Sequence, residues 1–191
     1  MTGEKIALSL QTRLISEQHH EAECLMLVFG KNILEYVYKD EKDAKTTTGN
    51  LDDLMKFLEH TLQFVEFDEP FPYCVSGNTA AELDRAAREF SSDDMDVFDE
   101  YYDKLDEWSY DHSWLHASNG CYLPDVMFRR VNHDIEISWD NENLYEDVLY
   151  TSLKGCVRIP CEQYKAIIQS ALEDYHKLWG IRARKDDCNG D

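Results

Sequence analysis

Two alternating runs separated by a short turn constrain this chain more than any other feature. Val126, Phe128 and Arg130 recur every second residue in one run, and Ile135, Ile137 and Trp139 in the other. Period-two apolar patterning belongs to a strand with one buried face. Asn132-His133-Asp134 between the runs supplies turn-forming residues, so the segment reads as a β-hairpin with Phe128 and Trp139 on its core face. Three further runs read as strands. Ile6, Leu8, Leu10, Thr12 and Leu14 alternate, and Cys24–Phe29 and Ile33–Tyr38 are joined by Gly30-Lys31-Asn32 as a tight turn. Cys156–Ile159 is a last short strand, closed by Pro160.

Helical spacing occupies the segments between. Asn50 caps a helix through Leu51, Leu54, Met55, Leu58, Leu62 and Val65, with Asp52 and Asp53 in its first turn. Pro70 and Pro72 enforce an extended connection. Thr79-Ala80-Ala81-Glu82 fits a capping box that starts a helix to about Phe90. A third helix is capped by Ser92 or Asp93 and ends at Gly120. The last uses Tyr164, Ile167, Ile168, Ala171, Leu172, Tyr175 and Trp179, and Gly180 is read as its stop. Lys39–Gly49 and Asp140–Asp147 read as loops. The expectation is an α+β fold, an antiparallel sheet of hairpins packed against several amphipathic helices. It forms one domain over residues 1–180, with a polar, mobile tail over 181–191.

The third helix carries the chain's chemistry. Nine of the nineteen residues from Asp93 to Asp111 are acidic, against Lys104 alone. Met95, Phe98, Tyr101, Tyr102, Leu105 and Trp108 form an apolar stripe on the same helix. The whole chain has a net charge of −20. Such a field opposes contact with nucleic acid phosphates and anionic lipid and favours cationic partners. Arg182, Arg184 and Lys185 are the nearest approach to a basic patch. Six cysteines show neither zinc-knuckle spacing nor a dense disulfide framework; Cys156 and Cys161 are the closest pair, five apart. After Met1-Thr2-Gly3-Glu4-Lys5 no apolar run reaches the length of a signal peptide or a membrane span. A cytoplasmic protein with reduced thiols is expected.

No pattern completes a catalytic signature. His112 and His116, four apart, share a helix face that can hold a metal, yet Ser113 stands where a peptidase would need Glu. Trp108, Trp114 and Leu115 around the pair favour packing. His133 and Asp134 lie in the hairpin turn. His19-His20-Glu21 lacks the second histidine, Glu23 standing in its place. Asp140-Asn141-Glu142-Asn143 opens like a calcium loop, but Tyr145 replaces the required Gly and the closing Glu is missing. Cys121 follows a helix end, where partial negative charge disfavours a thiolate. Cys161 begins the last helix beside Glu162, where a structural capping role is expected. No metal or cofactor is called for.

The stretch Trp108-Ser109-Tyr110-Asp111-His112-Ser113-Trp114 through Trp139, with the run Leu25–Phe67, resembles a domain found in bacterial proteins ahead of an ImmA/IrrE-type metallopeptidase. The shared pieces are a short hairpin, a helix ending near Phe64-Val65-Glu66 and a Trp-x-x-x-His helix. Leu123-Pro124-Asp125-Val126 and the strand ending Ile137-Ser138-Trp139 complete them. The peptidase's zinc-binding HExxH helix is absent, so neither activity nor metal carries over. The resemblance implies a setting in bacterial conflict, stress response or mobile-element biology, in a recognition or regulatory role.

The leading expectation is a non-enzymatic immunity or inhibitor protein that covers a basic toxin or nuclease. Asp96, Asp99, Glu100, Asp103, Asp106 and Glu107 would supply the field, and Tyr101, Tyr110 and Tyr145 the exposed aromatic anchors. Two rival readings are an accessory or sensor subunit of a bacterial defence complex, and a small metal-assisted hydrolase built on His112, His116, His133 and Asp134.

Overall fold

The computed structural model describes residues 7–186, with side chains described as far as Gly180. Ile6 of the expected first strand, Cys188 and the side chains of Arg182, Arg184 and Lys185 lie outside the described residues. Among the described residues, three antiparallel sheets and four α-helices make the fold α+β. The strands thus divide among three sheets instead of sharing one.

The first sheet pairs β1 (Leu8–Ser16) with β2 (Glu21–Val28), and β2 with β3 (Lys31–Asn32) and β6 (Thr48–Gly49). Val28 pairs with Lys31, so the tight turn is Phe29-Gly30, one position earlier than the sequence reading. Both turn residues take positive φ, 50° and 83°, the requirement of a two-residue hairpin. A phenylalanine in that conformation has no sequence signature. The run expected from Ile33 to Tyr38 is broken. Asn32 Oδ1 accepts from Leu34 N at 3.2 Å, and Ile33 and Leu34 turn into the core. β4 (Glu35–Tyr38) therefore joins a separate sheet between β5 (Lys45–Thr46) and β9 (Val148–Tyr150). β5 and β6 replace part of the expected Lys39–Gly49 loop.

The third sheet has the order β10-β8-β7, from β7 (Val126–Val131), β8 (Asp134–Asp140) and β10 (Lys154–Pro160). Val126 faces Trp139 and Phe128 faces Ile137, so the two apolar runs share one face, while Asp134 pairs with Val131 and belongs to β8 instead of the expected three-residue turn. Asn132, at φ 59°, lets Asn132-His133 close the hairpin. One face of this sheet, with Phe128 and Ile137 fully buried, enters the main core. There it meets Leu54 and Leu58 of α1 (Asp52–His60) and Tyr164 and Ile168 of α4 (Cys161–Asp186).

The opposite face carries a second, smaller core. Met127 packs with Ala80 and Ala81 of α2 (Ala80–Ala87) and Trp108 of α3 (Met95–His112). Glu136, fully buried on this face, pairs with Arg129 and Arg158 at 2.8 Å each and accepts from Ala80 N at 2.8 Å. Ser138 Oγ accepts from Ala81 N at 3.1 Å. The sheet thus supplies acceptors to the orphan donors that open α2. Thr79 accepts from Glu82 N at 3.2 Å, as the capping box requires, but Glu82 reaches back to Asn78 N.

Helix ends depart most from expectation. Asn50 Oδ1 accepts from Asp52 N at 2.9 Å, but α1 stops at His60 and a 3-10 turn, Thr61–Val65, follows. Thr61 Oγ1 donates to Leu58 O at 2.7 Å and meets the Tyr164 hydroxyl at 2.5 Å, which tightens the chain there. α3 is capped by Asp94, not by Ser92 or Asp93, and ends at His112. Ser113 is extended and caps a 3-10 turn, Trp114–Ser118. Asn119 and Gly120, with φ of 44° and 82°, terminate that turn instead of α3. Gly180 does not stop α4, which runs on to Asp186, so the expected boundary at residue 180 falls inside a helix. A single interior Gly costs about 1 kcal/mol relative to Ala and does not by itself end a helix. Among the described residues no helix is long and apolar enough to cross a membrane.

Candidate functional site

α3 turns its charge outwards. Asp94 accepts from Asp96 N at 3.0 Å and Val97 N at 3.4 Å, satisfying two of the free donors at the helix start. Asp96, Asp99, Glu100, Asp103, Asp106 and Glu107 are all exposed, whereas Leu105, Trp108, Ser109 and His112 face inwards. The Trp108 indole donates to Glu69 O at 3.2 Å. The apolar stripe begins later than the sequence implied, since Met95 is 63 % exposed; Val97, outside that stripe, is 48 % exposed. Asp106 pairs with Arg88 at 3.0 Å.

Of the three expected aromatic anchors only Tyr110 is exposed, at 62 %. Tyr101 is stacked between Tyr73 and Phe90, with both centroids 3.9 Å away, and donates to Ala87 O at 3.1 Å. It is a half-buried joint holding α3 to the chain around α2. Tyr145 is also half-buried; it donates to Leu123 O at 3.1 Å and packs against Tyr122 and Tyr150. Both are packing residues and not exposed anchors, because Tyr73 and Phe90 cover the first ring and Tyr122 and Tyr150 pack against the second.

Beside the acidic face an open cleft of about 500 Å³ separates α2 from α3. Asp84 Oδ2 accepts from Arg88 Nε at 2.8 Å, and Asp84 Oδ1 accepts from the Ser109 hydroxyl at 2.6 Å. Ser113 donates to Asp125 Oδ1 at 2.8 Å. Burial pushes the Asp125 carboxyl up to about 6; neighbouring Asp84 adds to the rise, while the Ser113 hydroxyl and Arg88 oppose it. Sequence reasoning missed this group. Asp84 and Arg88, four apart on one helix, were its one local signal, and their meeting with Ser109 and Asp125 is purely tertiary.

The histidines do not assemble into a centre. His112 lies between Trp108 and Phe64, with centroids at 3.9 and 4.8 Å. Its Nδ1 is 2.7 Å from Trp108 O and its Nε2 is 2.7 Å from Asp68 Oδ1, so both nitrogens are engaged. Because α3 ends at His112, His116 no longer shares its helix face. It stacks on Tyr110, and burial lowers its pKa. His133 sits exposed in the hairpin turn, with Asp134 starting β8. Among the described residues no three His, Cys, Asp or Glu side chains are grouped to hold a metal ion. The hydrolase reading loses its geometry.

The remaining candidates make their contacts within the fold. His20 turns the chain between β1 and β2 and stacks on Trp179 at 3.8 Å. Asp140 and Glu142 are engaged by Arg85 and Lys154. Asn141 accepts from Asp125 N at 2.8 Å and donates to Ser152 O at 3.0 Å, so this loop is held by protein groups. Burial raises the thiol pKa of both Cys121 and Cys161, the opposite of what nucleophilic attack needs. In comparisons with family models, curated proteins and solved structures, none matches this chain.

Proposed function

We propose that this is a non-enzymatic acidic protein that covers a basic surface of a protein partner, and that it acts in the cytoplasm. Its most specific form is an immunity or inhibitor protein that neutralises a basic toxin or nuclease in a bacterial conflict system. One observation carries the reading: seven carboxylates, the six named above and Asp111, stand exposed on α3 while its opposite side is pinned to a buried sheet. Charge held on a rigid element steers a cationic partner and suppresses wrong ones. Exposed Tyr110, Met95 and Val97 on the same helix add apolar surface for the contact. The resemblance to the domain that precedes ImmA/IrrE-type peptidases supports the bacterial setting.

The test is charge reversal on the free part of the face. Asp106 is left alone because a lysine there would confront Arg88. Asp99, Asp103 and Glu107 are changed to Lys, and the partner is identified by affinity capture and mass spectrometry. Rim charges act chiefly on association, so the variant should associate at least about tenfold more slowly at low salt, with melting unchanged. An unchanged association rate overturns the reading. Loss of the partner's own activity on binding separates an inhibitor from an accessory subunit.

A further inference from the structure

A groove follows the C-terminal half of α3 and is divided by two stacked rings. Tyr110 and His116 lie with centroids 4.1 Å apart and planes inclined by 21°. Both rings line the 500 Å³ cleft towards α2, and both line a second cleft of about 370 Å³ towards α1. Each volume falls in the range of roughly 300–1,000 Å³ typical of sites for small organic groups. Met127 and Leu115 contribute apolar surface to the first cleft, Phe57 and Ala117 to the second.

Internal pairing leaves one carboxylate underused in each cleft. In the first, Arg88 is committed to Asp84 and Asp106. Among the described residues Asp125 receives one side-chain hydrogen bond, from Ser113. In the second, Lys56 closes on Asp53 at 2.9 Å, and among the described residues Asp111 has one ion pair, with His60 at 3.8 Å. The pattern is symmetrical about the ring pair: apolar lining, an underused carboxylate and a shared aromatic wall on either side.

We propose that the twin clefts receive two arginine side chains of the basic partner, one guanidinium meeting Asp125 and the other Asp111, with the Tyr110–His116 stack between them. This rests on the binding function proposed above and names where that partner is gripped. Arginine fits better than lysine because its flat, weakly hydrated head pairs with a carboxylate and also lies against an aromatic face. Its alkyl stem suits the apolar lining. Burial is the main cause of the raised pKa of Asp125, and Arg88 offsets it only in part; a guanidinium paired directly with the carboxylate would offset the rest.

The test uses the full chain and a short fluorescein-labelled peptide of alternating arginine and glycine, followed by stopped-flow anisotropy. Two double variants each remove two charges: Asp111→Asn with Asp125→Asn in the groove, and Asp99→Asn with Asp103→Asn on the outer face. The groove pair should speed dissociation at least about tenfold, whereas the outer pair should mainly slow association. Tyr110→Ala, exposed and uncharged, should also speed dissociation, which covers the case of a groove pair that fails to fold. A peptide in which lysine replaces arginine should dissociate faster. Equal dissociation rates for the two double variants overturn the groove while leaving the acidic-surface function standing. No binding of the arginine peptide by wild type also overturns it. An unchanged partner association rate in the charge-reversal experiment removes the function itself.

Discussion

Asp125 shows how much of the candidate site lies beyond local sequence. Its partners arrive from α2, from the end of α3 and from Asn141 just after β8, and no spacing in the chain announces their meeting. The same burial has a measurable consequence. With its carboxyl raised to about 6, against about 4 in an unfolded chain, the folded state retains a proton over that interval which the unfolded state releases. Stability attributable to this group is therefore greatest below about pH 4 and declines as pH rises through 6, by roughly 3 kcal/mol at most. Asp125→Asn keeps an acceptor for Ser113 and removes the decline. By calorimetry its melting temperature should match wild type at about pH 4 and exceed it near pH 7; equal values near neutrality would contradict the assignment. Tyr101 and Tyr145 make the complementary point. An aromatic beside acidic residues reads as solvent-facing until Tyr73, Phe90 or Tyr122 is brought against it by the fold.

Among the elements, the β7–β8 hairpin was the most legible, because period-two patterning directly encodes which face is buried. Phe128 and Trp139 are in the core as that pattern requires. The second face was illegible for the same reason: Glu136 and Ser138 are polar and read as solvated, yet both are buried beneath the start of α2. β9 is too short to show alternation, and α3 stops before its glycine because Ser113 leaves the helix to bridge Met127. The dependence of α2 on Glu136 can be measured. Glu136→Ala strips Arg129 of its buried partner and Ala80 N of its acceptor. It should cost roughly 3–5 kcal/mol in denaturant unfolding, and Glu136→Gln, which keeps an acceptor, should cost less. A loss below about 1 kcal/mol for the alanine variant would show that α2 is held by its apolar contacts alone.

For the molecule as a whole, a net charge of −20 opposes the phosphate contacts that dominate affinity for nucleic acid. At physiological salt no gel shift with DNA or RNA is expected below micromolar concentration unless a partner is present; a sub-micromolar shift by the isolated chain would refute this. The sheet that carries the hairpin also acts as a partition. Its inner face belongs to the large core with α1 and α4, and its outer face to the small core under α2 and α3. Substitutions on the solvent side of α3 reach neither hydrophobic cluster. On the binding function proposed above, a lineage with this architecture can redraw the α3 face residue by residue, tracking a partner that changes, while the part that decides whether the chain folds stays as it was.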